Sequence, residues 1–167
     1  MTPRFKSFAL IGPSIIFGVI AILGCSMKPQ IFLETKGQGA DTGFQIRAEG
    51  INGLLDLRIW EEETKTVIWQ VNLNYFNGSH LGYGEVPGEF KTFNGATGSA
   101  KQLFPNAAEH PSRLPAGKSF IAALIGQYDT VGGASVRVFY FRFSTDAEGQ
   151  ILKIVPVVAP APKDLPK

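Results

Sequence analysis

The sequence predicts an all-β fold, an antiparallel β-sandwich of about seven to eight strands. Three observations carry that expectation. Apolar residues recur with a period of two in short runs, the signature of strands that bury one face. Nineteen glycines and eleven prolines punctuate those runs at turn-like intervals. No long stretch after residue 25 carries a convincing helical period. At 167 residues and 44% hydrophobic content, the chain suits one domain with a sizeable core.

The first element differs from the rest. "MTPRFKSFALIGPSIIFGVIAILGC" opens with Arg4 and Lys6, runs uncharged from Phe8 to Gly24, and ends in the only cysteine. A positive start, an apolar middle and a small residue before a cut are the three parts of a secretory signal. Ile22-Leu23-Gly24-Cys25 resembles the lipobox of bacterial lipoprotein precursors. The resemblance implies a signal-peptide helix over residues 1–24, cleavage between Gly24 and Cys25, and a diacylglycerol on the Cys25 sulfur. It also implies acylation of the new amino terminus, an export route and, in a Gram-negative envelope, placement at the outer membrane facing the periplasm, since Ser26 follows the cysteine. An uncleaved anchor is the alternative, although seventeen uncharged residues broken by Pro13 are short for a span needing about 20. An ordinary signal with a bystander cysteine is another. Acylation of Cys25 would consume the only thiol, so the mature domain would have no intramolecular disulfide. Loss of residues 1–24 would remove both surplus cations, leaving 14 basic and 14 acidic side chains. No basic stripe remains to suggest a nucleic-acid partner.

Residues 25–29 form a short tether, and residues 30–155 the sandwich domain. "QIFLE" is the first expected strand and "FQIRA" the second, separated by the Gly-rich "TKGQGADTG". That passage has neither the spacing nor the following Lys-Ser/Thr of a phosphate loop, and reads as a turn. "LLDLRIWEEETKTVIWQVNLNYF" is the clearest hairpin. Leu55, Leu57 and Ile59 alternate with Asp56, Arg58 and Trp60; Val67, Trp69, Val71, Leu73 and Tyr75 alternate with polar residues. This register sends Trp69 and Tyr75 into the core and Trp60 outward. Glu61, Glu62 and Glu63 read as a solvated hairpin end, because neighbouring strand carboxylates point to opposite faces and make a poor ion site.

"NGSHLGYGEVPGEFKTF" is turn-rich and runs into a short strand. The connection over residues 94–117 is longer than compact domains usually carry and leaves room for one helical turn at "NAAEH". "SFIAALIGQYD", apolar on both faces, suits a central strand. "SVRVFYFRFS" sets Phe139, Phe141 and Phe143 on one face and Val138, Tyr140 and Arg142 on the other. "TDAEGQ" reads as a turn into "ILKIVPV", and the Pro-rich residues 156–167 as an extended or disordered tail.

"SRLPAGKSFIAALIGQYD" and "YGEVPGEF" resemble immunoglobulin-like, fibronectin-III-related domains of bacterial envelope proteins. The resemblance implies an immunoglobulin-like sandwich and a tyrosine whose hydroxyl ties a corner to nearby backbone. Phe120 stands at that place here, so the tie is absent or supplied elsewhere.

Chemistry is sparse. His80 and His110 are the only histidines, and neither sits in a metal-ligand or Ser-His-Asp pattern. His80, Glu85, Glu109, His110 and Asp129 would form a site only if their loops share one end of the sandwich. No catalytic residue, metal or cofactor is assigned. Trp60, with a solvent-facing register, and Tyr83 form a candidate aromatic binding surface; cover from the tail, a neighbouring strand or the loop 95–117 is the competing possibility for Trp60. The expected function is a lipid-anchored, non-catalytic interaction or structural module. Its partners would be the membrane, through Cys25, and an envelope or peptidoglycan-associated protein. A small-ligand (sugar or peptide) binder using loops 77–90 and 95–117 is the alternative, and a hydrolase or metal enzyme the third reading.

Overall fold

A computed structural model describes residues 28–36, 43–78, 80–92, 94–106, 109, 111 and 113–166. The segment read as a signal, with Gly24 and Cys25, most of the Gly-rich turn, and His110 lie outside the described residues.

Antiparallel β-strands dominate. In chain order they are β1 (Gln30–Lys36), β2 (Gly43–Glu49), β3 (Gly53–Glu61), β4 (Val67–Phe76), β5 (His80–Gly82), β6 (Glu89–Lys91), β7 (Thr97–Ser99), β8 (Lys101–Phe104), β9 (Ser119–Thr130), β10 (Gly133–Thr145) and β11 (Ile151–Val157). They form a six-stranded sheet ordered β11-β10-β9-β3-β4-β8, a three-stranded sheet ordered β1-β2-β5, and the small ribbon β6-β7. Among the described residues there are thus eleven strands, against the seven to eight expected. The passage read as one long connection over 94–117 contributes β7 and β8, and β8 adds an edge to β4. Of "NAAEH", Asn106 and Glu109 are described, and Glu109 N–H donates to the Asn106 carbonyl at 2.7 Å.

Alternation explains the layers. Ile31, Leu33, Phe44, Ile46 and Leu81 of the three-stranded sheet share one core with inward residues of the six-stranded sheet. From the latter come Leu57, Ile59, Trp69, Val71, Leu73, Leu124, Phe141 and Phe143. At the centre, the Phe143 ring stacks on Phe120 at 5.2 Å and receives the edge of Phe44 at 5.4 Å. β9 is buried on both faces, as its unbroken apolar run requires: Phe120, Ala122 and Leu124 face the core, Ile121 and Ala123 the opposite side.

Tyr75 departs from the expected face. Positive φ at Asn74 (44°) and Tyr75 (65°) interrupts the pleat, so Phe76 enters the core at 8% exposure and Tyr75 turns out at 40%. The pairing of β3 with β4 shifts at the same place, between Leu54↔Phe76 and Asp56↔Asn72. Gly53 permits the detour, because a Cβ there would lie 2.9 Å from the Tyr75 backbone.

The corner before β9 is tied without a tyrosine hydroxyl. Thr145, 4% exposed at the end of β10, donates from Oγ1 to the Pro115 carbonyl at 2.7 Å and accepts from Lys118 N–H at 3.2 Å. Asp146 closes the adjoining turn by accepting from Glu148 and Gln150 N–H groups. Two of the three hairpin carboxylates are paired: Glu61 with Lys118 at 2.8 Å and Glu62 with Arg142.

Candidate functional site

The strand registers give the domain two ends. One carries the start of β1, the Ile51 loop and the β9-β10 hairpin. Gly53 pairs with Gln127 there, and a Cβ on Gly126 would touch Ile51 and Ile31. The opposite end carries β5, the β3-β4 connector and the passage 105–117. His80 lies on β5 opposite Gln45, and Glu85 accepts from Gly82 N–H at 2.9 Å. Glu109 sits beside Gln102. Asp129 pairs with Ala134 on the β9-β10 hairpin, at the other end. The loop residues therefore do not share one end, since the long hairpin carries Asp129 away. Among the described residues, no three His, Cys, Asp or Glu side chains are grouped to hold a metal ion.

Trp60 and Tyr83 are likewise separated: β3 alternation sends Trp60 to the outer face of the sheet, whereas Tyr83, just after β5, packs against the inner core. Trp60 is on the outer face as its register predicts, yet it is 1% exposed. Ile121, Ala123, Val67 and Tyr140 surround it, and Leu165 and Pro166 of the carboxy-terminal segment line the same cleft. The proposed solvent-facing platform is thus covered by neighbouring strands and the tail. The tail itself begins inside β11, where Pro156 pairs with Phe141. It then forms one 3-10 turn at Pro162–Asp164 and crosses towards the β3-β4 connector, where Asp164 lies 4.0 Å from Lys65. The outer cluster needs that cover, which is why these prolines do not hang free.

Tyr83 is half-buried on the inner side, with its ring edge-on to Trp69 at 5.4 Å. Burial pushes its phenol up to about 12. Trp69 Nε1 donates to Gln102 Oε1 at 3.3 Å, and Gln102 Nε2 reaches the Pro105, Asn106 and Glu109 carbonyls at 3.1, 3.2 and 2.7 Å. These residues form a polar knot that fixes the loop.

A larger recess runs along β1 from the end that carries the start of that strand. Among the described residues β1 pairs only with β2 and β11 only with β10, and the two edge strands lie beside each other without pairing. Between them runs a groove of about 510 Å³. Ile31, Leu33 and Phe141, each 6% exposed or less, lie deepest. Half-buried Phe139 and Ile154, with Pro156, form the wall on the six-stranded side. Lys28 and Arg137, both exposed, stand at the mouth, and Glu34 stands at the far end of β1. The Phe139/Phe141/Phe143 stripe was visible in the sequence. That its first members border a groove depended on which strands remain unpaired, and no local signal carries that.

No protein family, curated protein or solved structure matches this chain.

Proposed function

We propose that the protein is an exported, lipid-anchored module of a bacterial cell envelope, with an immunoglobulin-like sandwich held close to the membrane and acting by interaction rather than catalysis. The observation that carries the reading is the amino-terminal segment: two cations, an uncharged apolar run, and Ile22-Leu23-Gly24-Cys25. Geometry is compatible with it. β1 begins at Gln30, so five residue steps separate it from Cys25, a reach of at most about 18 Å. The end of the domain that bears β1 also bears the β9-β10 hairpin, whose tip from Thr130 to Val136 is uncharged and carries the fully exposed Val131. An uncharged, partly apolar tip suits an end that faces headgroups. Two or more acyl chains on Cys25 would make the attachment durable, where one myristoyl-sized chain binds only marginally. An envelope protein or peptidoglycan-associated partner would meet the opposite end.

Mass spectrometry of the amino-terminal peptide tests the anchor: acylated Cys25 as first residue is the expected result, and an intact 1–24 segment would overturn it. Cys25→Ala should leave the chain as an uncleaved precursor.

A further inference from the structure

The geometry points to a lipid-binding role for the groove between β1 and β11: it seats one acyl chain of an anionic phospholipid drawn from the membrane, with the headgroup held at Lys28 and Arg137. This inference rests on the anchored reading, which brings the groove mouth to the bilayer surface.

Four features support the occupant. The volume of about 510 Å³ falls within the roughly 300–1,000 Å³ of small-molecule sites. The run from Lys28 to Glu34 along β1 is about 20 Å at about 3.3 Å per residue. That is on the order of one leaflet of a roughly 30 Å hydrocarbon core. The lining changes character along this run, from two cations at the mouth to Ile31, Leu33, Phe139, Phe141 and Ile154 within. A flexible apolar chain with one negative end fits that order, because its methylenes pass from the bilayer to an apolar lining without being exposed to water while the charge stays in solvent between exposed Lys28 and Arg137. Finally, the mouth opens at the end that carries the tether, so a lipid need only slide upward from the leaflet.

The test uses the full lipidated protein in vesicles of phosphatidylcholine containing a rising fraction of phosphatidylglycerol brominated on its acyl chains. Phe139→Trp places an indole in the groove wall, while native Trp60 and Trp69 lie away from it and serve as the control in the parent protein. Bromines deep in the bilayer reach the new indole only if a chain enters the groove. Emission of the variant should fall and saturate as the brominated fraction rises, and the parent should change little. Lys28→Ala with Arg137→Ala, both at exposed positions that fold need not depend on, should move the midpoint by at least roughly tenfold, given about 1 kcal/mol for each cation. Quenching no greater than in the parent overturns the proposal, including the case in which the Cys25 chains themselves fill the groove. A midpoint unmoved by the double variant overturns the headgroup assignment. The amino-terminal peptide mass, taken on the same sample, separates the two readings: acylated Cys25 without quenching removes the groove alone, and unmodified Cys25 removes the anchor.

Discussion

The two tryptophans sit nine residues apart, are both buried to within 1% of completely, and yet occupy opposite faces of one sheet. Trp69 belongs to the inner core, between two sheets, and its indole N–H has a partner in Gln102. Trp60 belongs to a small outer layer made by Ile121, Ala123 and Tyr140 under the tail, and its N–H has no hydrogen-bond partner among the described residues. The difference shows what burial alone conceals. A side chain closed in by two rigid layers is positioned by every neighbour, including its polar atom. One closed in by a strand face and a returning tail is only covered.

Truncation should separate the two most strongly. Trp69→Ala should cost about 4–5 kcal/mol, whereas Trp60→Ala should cost about 3, because the tail can settle into part of the space it leaves. Urea unfolding at constant m-value would measure both; equal losses would show that the outer layer is as rigid as the core. Gln102→Ala should follow at about 2 kcal/mol, since it strips the partner from Trp69 and from three loop carbonyls. Removing residues 158–167 should lower stability by about 1 kcal/mol, the scale of one partly buried side chain, and shift Trp60 fluorescence to longer wavelength. The finer contrast is Trp→Phe. At position 69 it leaves Gln102 Oε1 without its buried donor, at about 1 kcal/mol beyond the lost ring area, while at position 60 no bond is lost.

The smallest effect concerns the two carboxylates of β3. Asp56, on the outer face, is held above its ordinary 3.8 by burial, against opposing help from Gln70 and Arg58. Its linked stability is complete below 3.8 and is lost as pH rises through the folded value. Glu61 is held below 4.5 by its bond to Lys118, so its contribution is present above 4.5 and is lost as pH falls through the folded value. Asp56→Asn should therefore raise the thermal midpoint at pH 7, and Glu61→Gln should lower it. The same sign for both would overturn the assignment.

Much of the architecture could be read from residue order. The hairpin over residues 55–75, the two-faced apolar β9 and the Phe139/Phe141/Phe143 stripe all follow from period-two alternation, which is a local property. Tyr75 and Phe76 exchanged places because two positive-φ residues reset the pleat, and Asn74-Tyr75 carries no turn signal strong enough to announce it. The side of Trp60 was legible but its cover was not, since a proline-rich tail reveals nothing about where it will lie. Asp129 could not be assigned to an end until strand lengths were known. The groove follows from strand order, a long-range property that single-residue patterns do not encode.

The unpaired gap has a consequence for self-association. A free strand edge is a row of donors and acceptors on which a second chain can add a strand. Here Pro29 lies just before one edge strand, and Pro156 interrupts the other with Lys153 nearby. A proline has no N–H to give, and a charged side chain resists being stacked against its own copy. The domain can therefore leave its sheets open where the groove lies without inviting sheet-to-sheet aggregation, a safeguard that matters most for molecules concentrated on one surface.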